Sequence, residues 1–159
     1  MGSEAAREAR SDTSLESPED WYAHLIWIER RKCLLFTNVG TLFPFIMLGV
    51  RKPQLDALRQ TFRTEYERNL IQAGATPGQA ARELSHVSRL QIGKSGNRRV
   101  LGSMTDYAHL ARGYVELLSG IGSAESLLVS GRLAEAPMSV IAYSTGIDKL
   151  RRRLASYAT

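Results

Sequence analysis

From Trp21 the chain alternates. In WYAHLIWI, residues 21–28, Trp21, Ala23, Leu25 and Trp27 fall on one side of an extended backbone, and Tyr22, His24, Ile26 and Ile28 on the other. Aromatic and β-branched residues are dense on both sides, which predicts a strand covered on both faces. KCLLFT, residues 32–37, repeats the pattern. Glu29-Arg30-Arg31 between them is polar and short, as an antiparallel hairpin requires, although it lacks the Asn-Gly or other glycine turn that favours one. NVGT, residues 38–41, brings Asn38 and Gly40, which tolerate positive φ, and Leu42 to Leu48 returns as a third strand kinked at Pro44. A three-stranded antiparallel meander is the expected result.

The period changes at Pro53. Leu55, Leu58, Phe62, Tyr66 and Leu70 recur at steps of three and four until Gly74, which predicts an amphipathic helix from Pro53 to about Ala73 with proline in its first turn. Thr76-Pro77 opens a second helix with Ala80, Leu84 and Val87 facing inward. After a glycine-rich break at 93–96, Asn97 to Leu101 reads as a short strand. Ser103 then caps a third helix, with Asp106 in a box-like position and Met104, Tyr107, Ala111 and Tyr114 on the inner side. Gly120, Gly122 and Ser123 make a loop, Val140 to Tyr143 a late strand, and Gly146 to Ala155 a terminal helix. Strands first and helices afterwards, without βαβ alternation, define an α+β fold: an antiparallel β-meander near the N-terminus packed against several α-helices.

Composition adds the boundaries. At 159 residues the chain suits one domain, and a domain of about 150 residues buries enough surface to hold together without a metal or disulfide. The leading segment, residues 1–20, carries one leucine and no aromatic, so it offers little to offset the entropy of ordering. It reads as a flexible acidic tail before a single domain over 21–159. Its Glu4, Glu8, Asp12, Glu16, Glu19 and Asp20 outnumber Arg7 and Arg10, so the body is more basic than the net +5 of the whole chain. Apolar runs stay well short of the roughly 20 residues of a membrane span. No charged-then-apolar leader is apparent and Cys33 has no cysteine partner, so a cytoplasmic location with an inert buried thiol is expected.

Catalytic and cofactor signatures are sparse. His24, His86 and His109 follow no metal-ligand spacing, and the glycine patterns of nucleotide-binding loops are missing, so neither metal nor cofactor is expected. IGKSGNRR, residues 92–99, sets Lys94, Ser95, Arg98 and Arg99 around two glycines. Such a loop can offer N–H groups to a phosphate, but a solvated connector is the plainer reading. Ser103, Asp106 and His109 share a helix, but a serine at an N-cap commits its oxygen to the backbone.

The cations are more informative as a set. Arg30, Arg31 and Lys32 lie at the hairpin, and in a meander Arg51 and Lys52 leave the third strand at that same end. The five predict a basic edge for phosphate contacts with salt-dependent binding. The sequence lacks the exposed aromatics of an RNA-recognition sheet, so base stacking is not expected. Arg151-Arg152-Arg153 reads as a solvated helix face.

Three blocks carry a resemblance: RRKCLLFTN at 30–38 followed by Thr41 and Phe43, GVRKP at 49–53, and NRRVLGSMTD at 97–106. Over Trp21 to Val115 the chain resembles the bacterial family catalogued as domain of unknown function 6933. The family pattern there is N-x-S-V-L-G-S-M-N-D, from which Arg99 and Thr105 depart. The resemblance implies a domain and no particular reaction. The reading that follows is a non-enzymatic binding module whose basic edge takes nucleic acid or an acidic protein partner. Two alternatives stand beside it. One is a small phosphodiester- or phosphate-handling enzyme in which Asn38, Lys52, Asn97 and Asp106 converge, with Lys94, Arg98 and Ser103 nearby. The other is a homo-oligomer that closes an apolar sheet face by self-association.

Overall fold

The computed structural model describes residues 16–87, 89–92, 96–122, 124–138, 141–142 and 144–157. The meander is present as β1 (Trp21–Ile28), β2 (Arg31–Asn38) and β3 (Pro44–Met47), with Leu25 opposite Leu34 and Phe36 opposite Phe45. The expected third strand is shortened to start at Pro44, because Leu42 takes a left-handed φ of 60°. Gly40 serves proximity instead of positive φ: a β-carbon there would stand 2.8 Å from the Pro18 carbonyl oxygen and ring.

The single helix expected from Pro53 is broken at Ala57, whose φ of −110° and ψ of 44° leave the helical region, into α1 (Lys52–Asp56) and α2 (Leu58–Gln72), and Thr76 caps α3 (Pro77–Ser85) through a hydrogen bond from the Gln79 N–H. A fourth strand, β4 (Leu90–Ile92), adds to the free side of β1 in parallel, with Trp21 beside Leu90 and Ala23 beside Ile92. The α+β fold therefore carries a mixed sheet of order β3-β2-β1-β4. Alternation along the strands sends two sets of side chains to opposite faces. Trp21, Ala23, Leu34, Phe36, Phe45 and Met47 pack under α1–α3 and the terminal helix α6 (Gly146–Ala155). Tyr22, Ile28, Cys33, Leu35 and Ile46 pack under α4 (Arg98–Leu117) and α5 (Ser126–Ala134). The sheet is thus a central layer between helices.

Several expectations are corrected. Asn97 to Leu101 is not a strand but the start of α4, because the Asn97 side-chain oxygen accepts the Val100 N–H at 3.1 Å. Ser103 is consequently inside the helix, donating its hydroxyl to the Arg99 carbonyl at 3.0 Å, and forms no capping box with Asp106. Of the 140–143 segment, Val140 and Tyr143 lie outside the described residues. Ile141 and Ala142 form no strand, and the late strands are the short pair β5 (Pro137–Met138) and β6 (Ser144–Thr145). The first residues of the acidic leader also lie outside the described residues, but Glu16 to Asp20 belong to the fold. Asp20 is fully buried and takes Arg89 at 3.0 Å, while Glu16 accepts the Tyr22 hydroxyl and the Asn97 amide, each at 2.5 Å.

The outer edge of β3 is closed by side chains. Ser130 of α5 accepts the Ile46 N–H at 2.9 Å and donates to the Ile46 carbonyl at 3.2 Å, and Ser126 one turn earlier accepts the Leu48 N–H. An exposed sheet edge is a pairing hazard, and two serines at i and i+4 remove it here.

Candidate functional site

The hairpin turn joins β1 to β2 through Glu29 and Arg30, both left-handed at φ 49° and 67°. Non-glycine residues rarely adopt this conformation, so something outside the turn must hold it. The Glu29 carboxylate does so, accepting the Ile121 N–H at 3.2 Å and 3.3 Å from the loop after α4. Arg30 is left exposed at the apex.

At the same end the Val50 N–H donates to the Lys32 carbonyl at 2.8 Å, which brings the chain leaving β3 beside the start of β2. The Arg31 guanidinium reaches to 4.0 Å from where a Gly49 β-carbon would sit. Arg51 follows directly, with its N–H bonded to the Gln54 side chain and its own side chain exposed, and Lys52 opens α1. The fold therefore brings Arg30, Arg31, Lys32, Arg51 and Lys52 to one end of the sheet. Among the described residues, only Lys52 of these five has an ion pair, with Asp56 at 3.6 Å, and both side chains are well exposed.

Beside this cluster lies an exposed apolar surface with one aromatic ring, which the sequence pattern did not predict. Trp27 is 54% exposed and Leu25 46%, on the sheet face where α1–α3 and α6 cover only the Trp21 and Ala23 half of β1. Ile92, whose register partner Ala23 shares that face, is 69% exposed. Lys32 pairs with Trp27 across the strands and holds its ammonium 5.7 Å from the ring centroid. Period-two alternation assigned Trp27 to the right face but did not reveal where the covering helices end.

The second group of residues is not assembled. Asn38 is buried at the far end of β2, about 20 Å along the strand from Lys32 at the usual rise per residue. It donates its amide to the Asp20 carbonyl and accepts from the Thr41 N–H and hydroxyl. Asn97 caps α4 at that same end, where Arg99 reaches the Val39 carbonyl. Ser103 is buried in the helix, Arg98 and Asp106 are exposed on it, and Lys94 lies outside the described residues. Lys52 thus stands apart from Asn38 and Asn97.

Arg153 is not on a solvated face. Its guanidinium bonds the buried Glu83 carboxylate at 2.5 Å and the Pro18 carbonyl at 3.2 Å. Glu83 also accepts the Tyr66 hydroxyl at 2.9 Å and the Tyr157 hydroxyl at 2.7 Å, which ties α2, α3 and α6 together. Burial and the Glu83 carboxylate push Tyr66 well above the usual tyrosine range, and the same causes push Tyr157 up to about 12. Burial opposes the charge on Arg153, but Glu83 outweighs it and the pKa is raised. Burial likewise raises the Cys33 thiol, which removes it from nucleophilic chemistry near neutral pH.

A cleft of about 350 Å³ between α2, α5 and α6 is lined by Asn69, Gln72, Ser130, Arg132 and Arg151. Asn69, Gln72 and Arg151 already donate to the carbonyls of Glu65, Leu127 and Ala73, so they brace a helix junction. Among the described residues no three His, Cys, Asp or Glu side chains gather as a metal site, and no helix is long and apolar enough to cross a membrane.

A mixed sheet held between two helical layers and ending in a cluster of cations defines a small α+β domain with one electropositive end. The chain belongs to the family of domain of unknown function 6933 (DUF6933), whose profile matches residues 2–149. No curated protein matches it.

Proposed function

We propose that this chain is a non-enzymatic binding module that holds a polyanion, foremost nucleic acid, at the hairpin end of its sheet. The observation that carries the reading is the Val50 to Lys32 hydrogen bond, which gathers five cations where one turn would present three. Four of them have no ion-pair partner among the described residues, so their charge is available to phosphates. The Glu29 anchor adds rigidity, since a fixed turn loses less entropy when Arg30 engages a ligand. A lone buried thiol suits a cytoplasmic module of this kind.

The test is an oligonucleotide titration at several salt concentrations, with the wild type beside Arg30→Gln/Arg31→Gln. Loss of phosphate contacts flattens the salt dependence by about 0.9 per duplex contact, or about 0.7 for a single strand. Exposed turn residues contribute within about 0.5 kcal/mol, so thermal stability should stay nearly constant. Identical affinities and slopes would reduce the turn to a solvated connection. Loss of folding would place the arginines in structural roles.

A further inference from the structure

We infer that Trp27, flanked by the apolar side chains of Leu25 and Ile92, is a stacking site for an unpaired base of a single-stranded nucleic acid whose phosphates lie along the basic hairpin end. The inference rests on the polyanion reading and narrows it to one class of ligand. The three residues share one sheet face, with Leu25 and Trp27 two positions apart on β1 and Ile92 on the adjacent strand beside Ala23. Ile92 is the diagonal neighbour of Leu25, and Trp27 follows Leu25 two positions on, so the three lie in line on one face with Leu25 in the middle. They are 46%, 54% and 69% exposed, Leu25 and Trp27 where the helices leave the face uncovered and Ile92 on the edge strand β4. Stacking is tolerant of sequence because every base has a π-face, and it is ordinarily combined with a positive groove along the backbone. Lys32 joins the two elements here, its ammonium 5.7 Å from the Trp27 ring and its backbone bonded to the chain that leads to Arg51 and Lys52.

Other occupants fit less well. A peptide strand adding to β1 would need the outward-facing carbonyl of Trp27, but the Arg112 guanidinium already donates to it through two nitrogens at 3.3 Å. A second copy meeting this one through the same patch would bring both cation clusters towards one interface, and like charges oppose that contact. A duplex hides its bases and would use the cations alone.

The two tryptophans make the experiment selective. Trp21 is fully buried, edge-on to Phe45, Phe62 and Tyr66, so quenching by a bound strand reports Trp27. Oligothymidylate should quench the emission and bind more tightly than a duplex of equal length. Trp27→Ala should weaken single-strand binding about ten-fold or more while leaving the salt slope unchanged, and Trp27→Phe should restore most of the affinity. Equal affinity of wild type and Trp27→Ala for oligothymidylate, with the salt slope intact, would overturn the stacking site and leave the polyanion reading standing. Loss of the salt slope in the wild type would end both. A sedimenting dimer that oligothymidylate does not dissociate, and that Trp27→Ala does, would assign the patch to self-association.

Discussion

Glu29 and Arg30 occupy the two left-handed positions of a hairpin turn that Asn-Gly would fill at little cost. Such a conformation disfavours a side chain by roughly 1–2 kcal/mol, so Arg30→Gly should stabilise the protein by up to about 1 kcal/mol once the backbone entropy of glycine is set against it. The same change should weaken oligonucleotide binding, and denaturant midpoints measured alongside titrations would separate the two effects. A less stable or unchanged variant would mean that Arg30 packs where exposure suggests it does not. The charges at 30–32 were legible in the sequence, because a run of cations between alternating segments has to lie at a turn. The conformation of the turn was not, because its anchor is an N–H from Ile121, far along the chain. Trp27 was likewise placed on its face by alternation, and only the reach of the covering helices exposes it.

Among the elements, α2 was readable because its stripe is long and regular. Phe62 is 1% exposed among Trp21, Phe36, Phe45 and Tyr66, with Leu58 at the margin of the same core. Phe62→Ala should therefore cost about 3–5 kcal/mol in unfolding free energy, and a loss below about 1 kcal/mol would place the ring outside the core. The start of α4 was misread because Asn97 and Ser103 are both good caps and Val100-Leu101 suits a strand. Contact of Asn97 with Glu16 and burial of Val100 decide the matter. Asn97→Ala should lower stability by about 1 kcal/mol, while Ser103→Ala, which removes a bond only to an already helical carbonyl, should change it by less than about 0.5 kcal/mol. Helix α5 was invisible for a related reason. Its Ser126, Ser130 and Gly131 are modest helix formers, retained because two close the β3 edge and the third lets the Gln72 amide pass 3.2 Å from a β-carbon position.

At the scale of the whole molecule, Glu83 joins three helices to the segment before β1 through Arg153, Tyr66 and Tyr157. A phenol that donates to a carboxylate resists ionisation, and Tyr157 loses its proton near 12 in the folded state against about 10 in the unfolded chain. The unfolded chain then binds fewer protons between those values, so stability falls as pH rises. The contribution is complete below about pH 10 and lost through about 12. Tyr157→Phe should make the alkaline limb shallower in urea melts taken across that range, and an unchanged limb would remove Tyr157 from the network. Nothing local in the sequence pairs Glu83 with Arg153, which is why a run of three arginines reads as solvated. The parallel partner of β1 was hidden by the same distance along the chain, together with its brevity.

That fourth strand also bears on how the chain reaches its native state. β1, β2 and β3 can pair by closing short loops, whereas Trp21 meets Leu90 only after the intervening helices have found their places. Pairing between distant segments is slow to form, and two half-covered residues and the exposed Ile92 provide little to hold it. Backbone amides of Leu90 to Ile92 should exchange with deuterium earliest within the sheet and those of Leu34 to Phe36 last, so that β4 opens and closes while the meander remains intact.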